Sequence, residues 1–506
     1  MVAVAAMAIR FESARDALWI DEWISAWTVE DALAEVAPRA ALGHASPFFY
    51  WMLWSCRQVG GDNPWALRAI SLASGLGTLA LIGWVVQRTT GSLSAAAAVV
   101  AIAALDQNYV FYASEARPYA LVQLLGLTQI LCLLNVLRRD SHGRTPALLA
   151  WAVLSVLLFA LHYTTIVLLA AELTWCLFIA VAVVPDRRAA SQVLCAGIAI
   201  AATLCVLAEP LGSIWRARQN WGSFVDVWSY LRSFQFSGLA YVLPLAGSLI
   251  LTAIVRPPTS DAQRRGTSLR GLLPWWLAAA IAVSVWLGAL VATAWFAVPI
   301  AHYRYVIGVS GLCPLLLGIA VGQHAKPIRA MASGLILVGA GIYFLTTTCD
   351  LPRRQWQRPL RYERWDMASA IIESDPARAH WPVVVFPNLI EDGQINDSLA
   401  PRERDYFLAA VPQLRGASPH ERGVFPAAMQ WPVRLSEPAL TKIVEAGGGW
   451  LLMRGGWRED PNRPPALVVG IADSVVEVLR RRWDCRWVEI PIPDSTVYLL
   501  RVQATR

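Results

Sequence analysis

Charge is scarce in this chain: Asp, Glu, Lys and Arg make up 16% of its 506 residues, against 56% hydrophobic ones. A soluble protein of ordinary composition is excluded by that balance. Cysteine spacing of the metal-binding kind is also missing. Of the eight cysteines, Cys132, Cys176, Cys195, Cys205 and Cys313 lie in apolar runs, where a thiol serves as a small buried side chain. Cys56, Cys349 and Cys485 lie outside those runs, which leaves room for one disulfide on an oxidising side of a membrane. There is no glycine-rich phosphate loop, since Ala446-Gly447-Gly448-Gly449-Trp450 lacks the Lys-Ser/Thr and reads as a turn before a strand. The formal charge of +7 comes mainly from arginine, and no nucleic-acid motif accompanies it, so nucleic acid is not among the expected partners.

Long apolar runs are what the chain has instead. Candidate spans fall at approximately 64–87, 92–110, 118–137, 146–162, 164–184, 192–212, 237–255, 272–296, 304–321 and 330–347, the second Ala-rich and ambiguous at its end. The opening stretch, Met1 to about Phe11, is apolar but shorter than the roughly 20 residues that cross a bilayer. It reads as a shortened first helix; it lacks the basic start and polar cleavage region of a signal peptide. The expected fold class is therefore a polytopic α-helical membrane protein of about 10–11 transmembrane helices with a small C-terminal α/β domain. Residues 1–347 form the membrane part, with a first outer loop at about 12–63, and 348–506 the soluble domain, of ordinary domain size.

Orientation follows from the short loops, because Arg and Lys near a span resist translocation. Arg88, the trio Arg138, Arg139 and Arg144, the pair Arg187 and Arg188, the group Arg256, Arg264, Arg265 and Arg270, and finally Lys326 with Arg329 mark alternate loops as cytoplasmic. The loops at 12–63, 106–117, His162-Tyr163, 213–236 and 297–303, and all that follows about 347, then face outward from the cytoplasmic membrane. In the first of these loops, Trp23, Ile24, Trp27, Val29, Leu33 and Val36 recur at helical spacing against Glu30, Asp31, Glu35 and Arg39, which predicts an interfacial amphipathic helix. Phe48, Phe49, Tyr50, Trp51 and Trp54 add an aromatic cluster suited to the headgroup level. In the tail, the runs 382–386, 450–453 and 497–500 read as buried strands, and Trp365 to Ile372 and Ala472 to Arg482 as helices.

The chemistry-bearing residues sit at the outward ends. Asp21 and Glu22 pair two carboxylates within Trp19-Ile20-Asp21-Glu22-Trp23; by themselves they also suit the solvated mouth of a helix. Arg117, Arg216, Arg218, Arg232 and Arg304 break the charge rule, either snorkelling to lipid headgroups or forming an anion site with forked hydrogen bonds to phosphate. Glu115, two residues before Arg117, has the spacing to hold that guanidinium, while His44 and His162 fit structural roles as readily as ligand roles. No metal site is assigned, although Asp21, Glu22 and His44 in one loop admit a divalent cation.

Taken in order, Asp21-Glu22, His44-Ala45-Ser46-Pro47-Phe48-Phe49-Tyr50, Leu67-Arg68-Ala69-Ile70-Ser71, Tyr112-Ala113-Ser114-Glu115-Ala116-Arg117-Pro118-Tyr119-Ala120-Leu121, Arg304-Tyr305 and Arg364-Trp365-Asp366-Met367-Ala368 resemble the GT-C class of membrane glycosyltransferases. The nearest resemblance is to the branch of protein O-mannosyltransferases, aminoarabinose transferases and galacturonosyltransferase-like proteins, over most of the chain. It implies transfer of a sugar from a polyprenyl-phosphate carrier to an extracytoplasmic acceptor, whether glycan, lipid or protein. Asp21 would be the general base with Glu22 beside it, and His44, Glu115, Arg117, Tyr119, Arg216, Arg218, Arg304 and Tyr305 would bind the donor among membrane lipids. The competing class is a lipid or sugar transporter or flippase, which would place its polar groups at mid-membrane in broken helices and show repeated halves; no internal repeat is visible here.

Overall fold

The computed structural model describes residues 2–138, 141–182, 187–206, 269–296, 298, 300–343, 349–350, 355–356, 363–416, 422–428, 435–455, 485–490, 492 and 495–504. The candidates Arg216, Arg218 and Arg232, the expected span 237–255 and the expected helix Ala472 to Arg482 lie outside the described residues. Contacts divide the chain into two units, Met1–Ala14 with His44–Gly61 and Trp65–Pro359, and Arg15–Gly43 with Asp62–Pro64 and Leu360–Arg506. Residues 15–43, read from sequence as a loop of the membrane part, thus pack with C-terminal residues.

The first unit is helical. It contains α1 (Val2–Ser13), α4 (Pro47–Gly60), α5 (Pro64–Thr90), α6 (Leu93–Leu105), α7 (Gln107–Ala113), α8 (Tyr119–Arg138), α9 (Ser141–Leu161), α10 (Ile166–Ala182), α11 (Arg187–Val206), α12 (Leu269–Phe296), α13 (Tyr303–Val306), α14 (Leu312–Gly322) and α15 (Lys326–Tyr343). Among the described residues five helices are long and apolar enough to cross a membrane, and the pairs α6–α7 and Tyr303–Val309 with α14 would each do so as bent spans. The chain is a multi-pass membrane protein. Each bend has a local cause or consequence. At the 67° break between α6 and α7, Asp106 leaves the helical region and its carboxylate accepts from the N–H groups of Asn108 (2.8 Å) and Tyr109 (3.3 Å), starting a new helix. That cap accounts for the ambiguous end of the Ala-rich run. Gly126 on α8 faces Gly308, so closely that any Cβ there would overlap the Gly308 carbonyl oxygen. Two small residues thereby seat the 303–309 segment against α8, reinforced by Gln123 Nε2 donating to Ser310 Oγ (2.7 Å).

A carboxylate lies within the span Tyr163–Val181. Glu172 is wholly buried, and its Oε2 accepts from Gln129 Nε2 (2.6 Å) and Trp151 Nε1 (3.0 Å), joining α8, α9 and α10. The amide of Gln129 also donates to Ser155 (3.0 Å). Polar groups at this depth are retained by pairing with one another, as here.

In the second unit, α2 (Ile20–Thr28) and α3 (Leu33–Leu42) replace the single amphipathic helix expected from periodicity. The break has a definite reason: Arg39 turns its guanidinium back onto the Trp27 carbonyl at the end of α2, onto Glu30 (3.5 Å) and onto Asp31, while lying 4.7 Å from the Trp27 ring. A continuous helix would keep that carbonyl for itself. A short antiparallel pair, β1 (Cys349–Asp350) and β2 (Gln355–Trp356), belongs to the first unit. The C-terminal sheet runs β4 (Val424–Pro426), β3 (Val383–Phe386), β5 (Gly448–Arg454), β7 (Val497–Ala504), β6 (Cys485–Ile490) in spatial order. β3 is parallel to both β4 and β5, and β7 is antiparallel to β5 and β6. The all-apolar run Val383-Val384-Val385-Phe386 suits that central place, buried throughout. Helix α16 (Trp365–Glu373) precedes β3, α17 (Pro401–Phe407) and α18 (Pro412–Gly416) follow it, and α19 (Glu437–Ala446) leads into β5 through Gly447, whose φ of 69° ends the helix. Val384, Phe386, Ile443, Leu451, Met453 and Leu500 share one core.

Candidate functional site

Two arginines of the first unit are aimed by aromatic residues. Arg117 ends the turn after α7; its N–H donates to the Glu115 carbonyl (2.8 Å), and its own carbonyl accepts from Ser71 Oγ of α5 (3.0 Å). With the backbone held on both sides, the guanidinium donates through Nη1 to the Tyr50 hydroxyl on α4 (3.1 Å) and lies 5.9 Å from the Tyr119 ring. Arg304 is carried by α13. Its N–H donates to His302 Nδ1 (3.3 Å), its Nη2 to the Tyr305 hydroxyl (3.0 Å), and its guanidinium lies 4.9 Å from the Tyr305 ring.

His162 joins these two groups. Its ring centroid is 5.5 Å from that of Tyr119 and 5.8 Å from that of Tyr305, and the Thr164 hydroxyl lies 2.7 Å from its Nδ1 and 3.3 Å from the Tyr305 carbonyl. Burial, then the positive charges of Arg304 and Arg117, lower its pKa to about 3, so the imidazole is neutral at physiological pH. Burial and Arg304 do the same to His302, also to about 3. Tyr112 completes the wall, stacked on Tyr303 at 5.7 Å and edge-on to Tyr119 at 5.2 Å. Both guanidinium groups therefore act on one neutral histidine across a floor of tyrosines. Guanidinium groups set beside aromatic faces are side chains whose chemistry suits an anion.

The other sequence candidates fall as follows. Glu115 is buried, 1% exposed, directly before the Arg117 turn. His44 has a left-handed backbone, φ 51°, and its buried Nε2 has no hydrogen-bond partner among the described residues; burial lowers its pKa. Asp21 and Glu22 belong to the second unit, in the first turn of α2. Successive helical residues point about 100° apart, and the two carboxylates differ accordingly: Glu22 is fully buried, whereas Asp21 is half-buried. Among the described residues no group of three or more His, Cys, Asp or Glu side chains is arranged to hold a metal ion. Cys56 is a free thiol. Sequence reasoning passed over Tyr50, Tyr112, Thr164 and Tyr303 as site residues. The tyrosine-rich motifs around Arg117 and Arg304 were the available signal, but only the fold brings four loops together.

No family model and no curated protein matches the chain. Among solved structures, two crystal structures of ArnT from Cupriavidus metallidurans match over 99% of this chain and 97% of theirs. The apo structure gives a TM-score of 0.55 at 11% identity, and the one bound to undecaprenyl phosphate 0.54 at 12%. ArnT is a GT-C glycosyltransferase, and the fold of the present chain is of that GT-C kind, with a small C-terminal sheet region.

Proposed function

We propose that this protein is a membrane glycosyltransferase that moves a sugar from a polyprenyl-phosphate donor to an acceptor hydroxyl on the extracytoplasmic side of the cytoplasmic membrane. The observation that carries the reading is the convergence of Arg117 and Arg304 on His162 among tyrosines, an arrangement whose chemistry suits an anion, on a fold shared with a protein crystallised with undecaprenyl phosphate. The sidedness rests on the arginine-rich alternate loops.

In this reaction the acceptor oxygen bonds to the anomeric carbon as the bond from that carbon to the phosphate oxygen breaks. The electron pair leaves with the phosphate, whose added charge Arg117 and Arg304 neutralise. The acceptor proton passes to Asp21, a half-buried carboxylate accessible to a partner hydroxyl. A phosphate leaving group needs little acid catalysis, so one carboxylate suffices, and direct displacement inverts the anomeric centre. Glu22, being buried, supports the helix that bears the base. His162 and His302 stay neutral and leave the positive field to the arginines.

The test is Asp21→Asn. With undecaprenyl phosphates carrying hexose, hexuronate or aminopentose headgroups, and cell-envelope membranes as the acceptor source, release of undecaprenyl phosphate is expected to fall roughly 10²–10⁴-fold. Binding of undecaprenyl phosphate is expected to remain. Undiminished release would remove Asp21 from the chemistry.

A further inference from the structure

Helix α2 begins without a cap of its own: Trp19 stands at the N-cap position and no side chain there accepts from the first turn. The missing acceptor comes from 343 residues away, where Glu363 Oε2 accepts the Ile20 N–H at 2.9 Å. The same oxygen accepts from Trp365 Nε1 (2.8 Å), and Oε1 accepts from Arg454 Nε on β5 (2.7 Å). Arg454 is fixed in turn, donating through Nη1 to the Asn388 carbonyl (3.2 Å) and lying 6.0 Å from the Trp19 ring. Glu363 and Arg454 are 5% and 4% exposed, so the pair is shielded from water and its geometry is tightly held.

The node touches the backbone of the residue immediately before Asp21. Further along the same segment, Trp27 meets Tyr406 edge-on at 5.8 Å, Glu30 pairs with Arg415 at 2.5 Å, and Glu35 pairs with Arg402 at 2.5 Å. The exposed Glu35 pair contributes little, whereas the buried Glu363 node accepts the first N–H of α2.

We propose that Glu363 and Arg454 are positioning residues that set Asp21, so that the C-terminal sheet serves sugar transfer by holding the helix that carries the base; this rests on the reading of Asp21 as that base. Glu363→Gln removes the charge that holds Arg454. Ile20→Pro removes the donated N–H without touching the Glu363–Arg454 pair, at the first helical position where proline is well tolerated and after a residue already extended at φ −90°, ψ 173°; it also trims a fully buried side chain, so Ile20→Val, which keeps the N–H, serves as its packing control. The experiment measures donor KM, kcat and undecaprenyl phosphate binding for both variants, alone and in an Asp21→Asn background, with hydrogen exchange of the α2 amides.

Faster α2 exchange is expected in both, with a kcat about 10- to 100-fold lower for Glu363→Gln, the scale of a misplaced reacting group, and donor binding unchanged. In the Asp21→Asn background neither variant should lower turnover further, because the positioned group is already gone. An equal loss in that background makes the node merely structural and overturns the proposal, as does unaltered α2 exchange. Should Glu363→Gln fail to fold, Ile20→Pro decides by the same criteria. Loss in Asp21→Asn with wild-type kcat in Glu363→Gln refutes the positioning role alone; wild-type turnover in Asp21→Asn refutes the base itself.

Discussion

Replacing Arg117 with alanine is the sharpest perturbation of the proposed anion site. Arg117 is half-buried, its Nη1 donates to Tyr50 at 3.1 Å, and the Ser71 bond to its carbonyl fixes the backbone, so the side chain is held in one orientation. A hydrogen bond to a charged group is worth about 1.5–3 kcal/mol. At about 1.4 kcal/mol per tenfold, losing one such contact to the lipid phosphate weakens binding about 10- to 150-fold. Tyr50→Phe removes only the hydroxyl that orients the group, about 0.5–1.5 kcal/mol, or about 2- to 12-fold. Arg117→Lys should fall between, keeping charge but not the fork. The assay is titration of undecaprenyl phosphate into the protein in nanodiscs, with thermal unfolding as a control for folding. A dissociation constant for Arg117→Ala within twofold of wild type would refute the reasoning and leave the arginine a headgroup anchor.

Two further outcomes follow from buried polar groups. His162 and His302 have folded pKa values of about 3 against 6.5 unperturbed, so the unfolded chain takes up protons between those values. Stability is therefore expected to be level above about pH 6.5 and to fall as pH drops toward about 3, a loss that thermal melts should find smaller in His162→Gln; a pH-independent melting temperature contradicts it. Glu172→Leu strands the Gln129 and Trp151 donors and should cost about 1–3 kcal/mol in unfolding experiments in detergent, whereas Glu172→Gln keeps an acceptor and should cost less than about 1 kcal/mol.

Much of the fold was legible from the amino-acid order because its determinants are local. Apolar runs became the helices at Pro64–Thr90, Tyr119–Leu137, Tyr163–Val181 and Trp275–Trp295, since a segment that must satisfy its own backbone in lipid has few alternatives. Short apolar runs became β3, β5 and β7 for the related reason that a buried strand needs both faces apolar. Arg117 and Arg304 stood out because charge at a span end is costly without a purpose.

Tertiary structure decided what depends on groups distant in the chain. No spacing rule places His162 between Tyr119 and Tyr305, or aims Arg117 with Tyr50, because those contacts follow from helix packing and from the glycine contact of α8 with the 303–309 segment. Periodicity read one amphipathic helix where Arg39 divides two, since hydrophobic pattern does not register a side chain returning to cap a carbonyl. Asp21 was visible as one of two adjacent acids. Helical geometry separated it from buried Glu22, and a carboxylate 343 residues after Ile20 accepts the first N–H of its helix.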